Sequence, residues 1–304
     1  MKKGFFLVSL TAFISGFSIF INQFGVKMTN PFLFTGLKNV LVALALSAVI
    51  LSFKRGKQLK SLSKNNWLIL VLIGLVGGSI PFLLFFKGLS LTTAASGSFL
   101  HKTMFIYVMI LAAIFLREKI SKNLILAGSS LLLGNIFLLK FIPQFKFNSG
   151  DLLVLIAVLF WSVEQILSKK AVMNMPPRMV AWGRMFFGSI FIIIFLLVTN
   201  QFHLIFNLSR VQINWVIVTS LLLCGYVLTW YHGIKYLKIS EAVCLLALGG
   251  PITTLLTLIQ GKIISLNEII GSFLIILGVI SVAIGLGNLS RWLKRIFKIK
   301  GLPI

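Results

Sequence analysis

The sequence predicts an all-α integral membrane protein in which ten transmembrane helices form two inverted five-helix repeats. Composition, the spacing of apolar runs and internal self-similarity lead to that class. The 304-residue chain is 58% hydrophobic and 11% charged, with a mean hydropathy of +1.04, so it carries far more apolar surface than a soluble domain can bury. Its apolar residues gather into ten runs of membrane-crossing length. The chain also matches itself when displaced by about 144 to 147 residues.

The first run, Phe5 to Phe24, follows Lys2 and Lys3 as a secretory signal would. No A-x-A cleavage site follows it and further spans do, so it reads as an uncleaved first helix. Spans two to five are Phe32 to Phe53, Trp67 to Phe86, Ala94 to Leu116 and Leu124 to Phe141. Spans six to ten are Leu152 to Leu167, Val180 to Val198, Trp215 to Tyr231, Ala242 to Ile259 and Ile269 to Leu286. Loop charge orients them. Lys54, Arg55, Lys57, Lys60 and Lys64 follow span two; Arg117, Lys119 and Lys122 follow span four; Lys169, Lys170 and Arg178 follow span six. These loops are predicted to be cytoplasmic. The opposite loops carry only Lys27, Lys87, Lys140, Lys146, Arg210 and Lys262. Both termini are therefore expected inside, in a multi-pass protein of the plasma (inner) membrane. The net charge of +24 then reports orientation and not nucleic-acid binding.

Residues 290–304 form a basic cytoplasmic tail in which Arg291, Lys294, Arg295 and Lys298 alternate with Trp292, Leu293, Ile296 and Phe297. It is either a helix lying on anionic headgroups or a solvated segment. Asp151, at the start of span six, suits the positive end of a helix and is read as structural. Cys224 and Cys244 lie in apolar runs without CxxC spacing or nearby histidine ligands, so they are read as packing residues, and neither a metal nor another cofactor is expected.

Displacement of the sequence on itself brings FISGF near Phe13 opposite FWSVE near Phe160, and NPFLFTGLK opposite PPRMVAWGR, with Lys38 on Arg184. FKGL at Phe86 falls on YHGI at Tyr231, REKISKN at Arg117 on GKIISLN at Gly261, and Gly134 reaches Gly278. Matches in one order at nearly one offset mark a duplicated unit, 1–145 and 146–289. Five spans per unit is an odd number, which turns the second copy upside down. The charges agree: REK places its cations inside, whereas its counterpart keeps Lys262 outside.

These residues resemble the ten-helix EamA-like branch of the drug/metabolite transporter superfamily. The resemblance rests on the FWS start of span six, the cations Lys38 and Arg184 on spans two and seven, the glycine turns at Gly88 and Gly233, and the LREKIS motif closing span four. It covers nearly the whole chain and implies a secondary transporter, mostly exporting amino acids and other small metabolites, with the pathway between the halves. That family usually has a proline in the middle of spans four and nine. Here Gly249-Gly250-Pro251 supplies the second, while Met104-Phe105 stands at the first. Span four is therefore expected to stay hydrogen-bonded throughout, and span nine to bend or unwind at Gly250 and free carbonyls toward a cavity. The halves would then gate unequally. The glycine pair also suits close helix packing, as does Gly74-x-x-x-Gly78.

Charges inside the spans mark the candidate site. Lys102 lies 15 residues before Arg117, roughly 22 Å along a helix at about 1.5 Å per residue. That leaves it about 8 Å below the far edge of a ~30 Å core, where an unmet ammonium costs at least ~2 kcal/mol. Either a ligand or partner meets it, or its stem snorkels to the interface. Lys38 and Arg184 each lie roughly 9 Å deep, as substrate contacts or as helix braces. The substrate-binding set is thus Lys102, its neighbour His101, Lys38 and Arg184, with Trp161, Trp182 and Trp230 as stacking or packing residues. A positive path favours an anionic or zwitterionic small molecule, such as an amino acid or organic acid.

Glu164 is the sole acid deep in a span and is the proton-coupling candidate; the competing reading is a salt bridge with Lys169 or Lys170. His101 and His232 are further candidates for proton transfer, against the plainer reading of hydrogen-bonded residues on apolar helices. Glu118 and Glu241 are read as loop partners of neighbouring cations. No HExxH, Walker A or GxSxG motif appears, so a membrane enzyme is disfavoured. A secondary transporter fits best, ahead of a passive facilitator or a non-transporting partner protein. Its partners are a small-molecule substrate and membrane lipid, and it works as a monomer or homodimer.

Overall fold

Inside a bilayer every backbone N–H and C=O must be satisfied within the protein, so apolar runs of this length become helices. The structure, a computed structural model, describes residues 2–52, 59, 61–89, 91–92, 94–138, 147–261 and 264–285. The tail at 290–304 and the loop positions Lys57 and Lys146 lie outside the described residues.

Span one is Lys2–Met28 and span two Pro31–Ser52. Span three has two segments, Lys64–Gly78 and Ile80–Leu89, and so does span four, Ala94–Lys102 and Met104–Phe115. Spans five to eight are Lys122–Leu138, Ser149–Asn174, Pro177–Val198 and Arg210–Ile234. Span nine is again in two segments, Ile239–Leu246 and Gly249–Ile259, and span ten is Leu266–Gly285. Among the described residues, eight helices are long and apolar enough to cross a membrane; the shorter apolar helices Phe99–Phe115 and Lys122–Leu138 fill the places of spans four and five.

Polar side chains start several of these helices. Ser63 caps span three, Asn148 with Asp151 forms a capping box on span six, and Ser209 with Gln212 does the same on span eight. Asp151 also accepts from Thr92 at 2.5 Å and from Ser96, tying the start of span six to that of span four. Its expected structural role is thereby specified.

Packing follows the duplication. Span one packs on span eight and span six on span three; span two packs on span seven and span five on span ten. A Cβ on Gly88 would stand 2.8 Å from the Gly150 carbonyl, and one on Gly4 would stand 3.2 Å from the Gly233 carbonyl. These are one contact between the halves seen twice, since displacement carries Gly88 to Gly233 and Gly4 to Gly150. Span four ends at Arg117 with φ 53, and span nine ends at Gly261 with φ 84. The two left-handed stops occupy matched positions. Trp230, Tyr231, Met179 and Met185 fill the centre, while Ile110, Ile114, Leu126, Ile194, Leu221 and Phe273 point outward.

The expectation that span four stays unbroken is not met. It ends at Lys102 and restarts at Met104. No proline is involved: the Thr103 hydroxyl donates to the Leu100 carbonyl at 2.7 Å, and its N–H is shared between the carbonyls of Leu100 at 3.1 Å and Phe99 at 3.2 Å. A side-chain hydroxyl competing for a helix carbonyl tightens the turn to three-residue spacing. Span nine tightens in the same way at Ala247 and Leu248, ahead of the expected Gly250, because Pro251 has no N–H for the Ala247 carbonyl and Gly250 N donates to it instead at 3.0 Å. Both halves thus carry an interrupted helix at the matched spans four and nine. Span three carries a further break at Ser79, with Pro81 just beyond it.

Candidate functional site

Pro81 shapes the centre of the molecule. A proline donates no N–H to the carbonyl four residues back, and here that carbonyl belongs to Gly77. It is taken instead by two side chains from other spans, Trp161 Nε1 at 3.1 Å and Arg184 Nη2 at 3.3 Å. The next carbonyl, of Gly78, accepts from Asn39 Nδ2 at 3.0 Å. Glycine is required at both positions. A Cβ on Gly77 would lie 2.2 Å from Glu164 Cγ, and one on Gly78 would lie 2.5 Å from the Arg184 carbonyl.

Glu164 is fully buried behind Gly77. Its Oε1 accepts from Ser168 at 2.5 Å and from the Tyr231 hydroxyl at 2.7 Å, and its Oε2 accepts from Gln165 Nε2 at 3.0 Å. Gln165 in turn accepts from Trp230 Nε1 at 3.1 Å. The alternative of a salt bridge to Lys169 does not hold: that ammonium donates to the Ile234 and Leu237 carbonyls at 2.6 and 2.7 Å. Burial leaves a carboxylate costly unless donors or a cation meet it. Ser168, Gln165 and Tyr231 supply the donors, and the buried Arg184 guanidinium reaches the Gly77 carbonyl on the same turn. Among the described residues, Arg184 Nε has no hydrogen-bond partner.

Aromatic rings adjoin this pair. Trp161 lies 5.3 Å from Phe82, 5.4 Å from Phe85 and 5.2 Å from His101, centroid to centroid. The structure therefore brings together Glu164, Arg184, Trp161, His101 and Trp230 from the sequence-derived set, and adds Tyr231, Ser168, Gln165 and the Gly77 carbonyl. The cluster presents a buried carboxylate, a guanidinium whose Nε has no partner among the described residues, and a set of rings.

Three expected members stand apart. Lys38 donates to Asn22 Oδ1 at 2.7 Å and lies 5.0 Å over the Phe34 ring. Trp182 donates to Ser47 at 2.8 Å and stacks on Phe186 at 4.8 Å, facing Trp67 at 6.0 Å. Lys102 lines a separate cavity of about 200 Å³ with Gly250, Thr253, Thr254, Thr257 and Glu268. Gly250 and its neighbours Gly249 and Pro251 thus begin the second half of span nine beside Lys102, whose Nζ lies 3.9 Å from where a Gly250 Cβ would stand. A wider cleft of about 390 Å³ lies at the other end of the bundle, lined by Met175, Pro176, Arg178, His232 and Lys235 among others.

Among the described residues, Glu118 forms no ion pair with its sequence neighbours Arg117, Lys119 and Lys122. Arg117 in the left-handed conformation turns the chain back, with Glu118 N–H reaching the Ala112 carbonyl at 3.1 Å. The Glu118 carboxylate then caps span nine, accepting from Ile239 N at 2.8 Å, Ser240 N at 3.2 Å and the Ser240 hydroxyl at 2.5 Å. The first half thereby holds the broken helix of the second.

Comparison with known proteins agrees with this architecture. The profile of the EamA-like transporter family matches the chain twice, over residues 2–140 and 148–284. The uncharacterized transporter YyaM of Bacillus subtilis is 26% identical over 254 residues, 79% of this chain and 80% of that protein. The riboflavin transporter ImpX of Fusobacterium nucleatum is 26% identical over 302 residues, 92% of this chain and 97% of its own length. A protein crystal structure shares the fold with a TM-score of 0.75 at 19% identity, covering 91% of this chain and 96% of that one. With two family matches spanning most of its length, the chain is a multi-pass membrane protein that belongs to the EamA-like transporter family.

Proposed function

We propose that the protein is a secondary transporter of the plasma membrane that exports a small carboxylate-bearing metabolite, such as an amino acid, by alternating access. The observation that carries this reading is the buried pair Glu164 and Arg184, held where spans three, six, seven and eight meet. Arg184 receives the substrate carboxylate through charge-assisted hydrogen bonds. Glu164, the group that changes charge, couples proton movement to it. Trp161 and His101 flank the substrate, and Trp230 holds Gln165 in place. The halves, 1–145 and 146–289, act as inverted units with both termini inside, as a monomer or homodimer. The breaks at Thr103 and before Gly249-Gly250-Pro251 are the flexing points, while Lys38 braces span two on span one and Trp182 braces span seven on span two. The names of the relatives support the transporter class.

The test is counterflow in proteoliposomes, with a substrate chosen from a metabolite screen by thermal shift. An alternating-access carrier exchanges external label for internal unlabelled substrate, and a channel-like facilitator or a non-transporting protein does not. A second reading, an aromatic heterocycle as substrate, is favoured by the rings of Phe82, Phe85, His101 and Trp161 and by the riboflavin-transporting relative. Excess riboflavin then blocks exchange.

A further inference from the structure

The cavity around Lys102 shares none of its lining with the Glu164 cluster. It lies between the broken span four, the second half of span nine and the first turn of span ten. Among the described residues, two opposite charges line it, Lys102 and Glu268, both half-buried. Glu268 uses Oε2 to accept from Ser265 N at 2.7 Å and Ser265 Oγ at 2.8 Å. Its Oε1, the Lys102 ammonium and the Thr254 hydroxyl meet no hydrogen-bond partner among the described residues, and no ion pair joins Lys102 to Glu268. Thr253 donates to the Gly16 and Gly249 carbonyls and Thr257 to the Thr253 carbonyl, so their hydroxyl oxygens keep free lone pairs beside the cavity.

We propose that this cavity is a second binding site, for a zwitterion of amino-acid type, with its carboxylate on Lys102 and its ammonium on Glu268 and the threonine hydroxyls. Charge decides the class. A plain anion would meet Glu268 as a like charge, a plain cation would meet Lys102 as one, and a neutral solute would pair neither. A zwitterion pairs both. Size agrees: at about 200 Å³ the cavity is smaller than the roughly 300 to 1,000 Å³ typical of drug-sized ligands. Chain direction puts it at the end of the bundle opposite the His232 cleft, so it is a vestibule to the buried site. That use rests on the transporter reading above; occupancy of the cavity does not.

The test is ligand protection of a cysteine in the cavity, using the full chain in nanodiscs with Cys224 and Cys244 replaced by alanine. The variant is Thr254→Cys, or Thr257→Cys if the first fails to fold. The probe is a mixture of glycine, alanine, serine, leucine and glutamine, beside matched mixtures of their carboxylate-only and amine-only analogues. The zwitterions should slow maleimide labelling about tenfold or more at saturation, and neither analogue mixture should do so. Lys102→Met and Glu268→Gln should each abolish protection, and Lys102→Arg and Glu268→Asp should restore part of it. Glu164→Gln, which disturbs the buried site, should leave protection in place. Equal protection by the analogues, or protection unchanged in both Lys102→Met and Glu268→Gln, overturns the proposal. Protection that persists while counterflow is absent upholds the site and refutes the transport reading.

Discussion

Trp161 and Arg184, on spans six and seven, donate to the same acceptor, the carbonyl of Gly77, at 3.1 and 3.3 Å. Pro81 frees that acceptor, and the missing side chain of Gly77 gives Glu164 its place. One broken turn of span three thus organises Trp161, Arg184 and Glu164, three of the side chains proposed to carry transport.

Gly77→Ala should be severe, because its Cβ would stand 2.2 Å from Glu164 Cγ in a packed interior. Exchange in proteoliposomes should fall about tenfold or more, corresponding to roughly 1.4 kcal/mol or more. Gly128→Ala, whose Cβ would find its nearest neighbour at 3.6 Å, should transport as the parent does. Equal behaviour of the two would detach Glu164 from the transport site.

Pro81→Ala returns an N–H to the Gly77 carbonyl, in competition with Trp161 and Arg184. The helix should mend, so thermal stability should hold or rise while substrate affinity weakens. A variant that loses stability and keeps affinity would show that the break serves folding alone.

Glu118→Gln removes the charge from a cap made of three donors at the start of span nine. The expected cost is about 1 kcal/mol, read as a lower unfolding temperature in detergent. Substrate affinity should change little in the folded protein.

Cysteines at Lys57 and Lys146 test the orientation on which the inverted arrangement depends. The first should be shielded from impermeant reagent in intact cells and the second should react. The reverse pattern would turn the protein over in the membrane and remove the basis of outward export.

Apolar run length is a strong signal, and it made the helical class legible in the sequence. The duplication was legible too, because glycine contacts such as Gly88 with Gly150 and Gly4 with Gly233 need the same residue at matched places in each half. Buried charge pointed to Glu164 and Arg184, although depth alone grouped them with Lys38 and Lys102. Depth is a distance along one helix and is blind to which face turns inward, so Lys38 was free to pair with Asn22 and Lys102 to face another cavity. Gly77-Gly78-Ser79-Ile80-Pro81 carried the same signal as Gly249-Gly250-Pro251 and would have revealed the break in span three. The break at Thr103 had no such sign, since a threonine inside an apolar helix bends it in some settings and not in others. Glu118 was legible as a surface acid, but its target lies 121 residues away in sequence and only the fold brings them together.

The central claim, that Glu164 couples protons to substrate movement, is tested most directly by pH-gradient-driven transport in Glu164→Gln. Glutamine keeps the size of the side chain and removes titration. The variant should exchange substrate across the liposome membrane at near the parent rate while failing to accumulate it against a gradient when a pH difference is applied. Accumulation with an unaltered pH dependence would contradict the account and take Glu164 out of the mechanism.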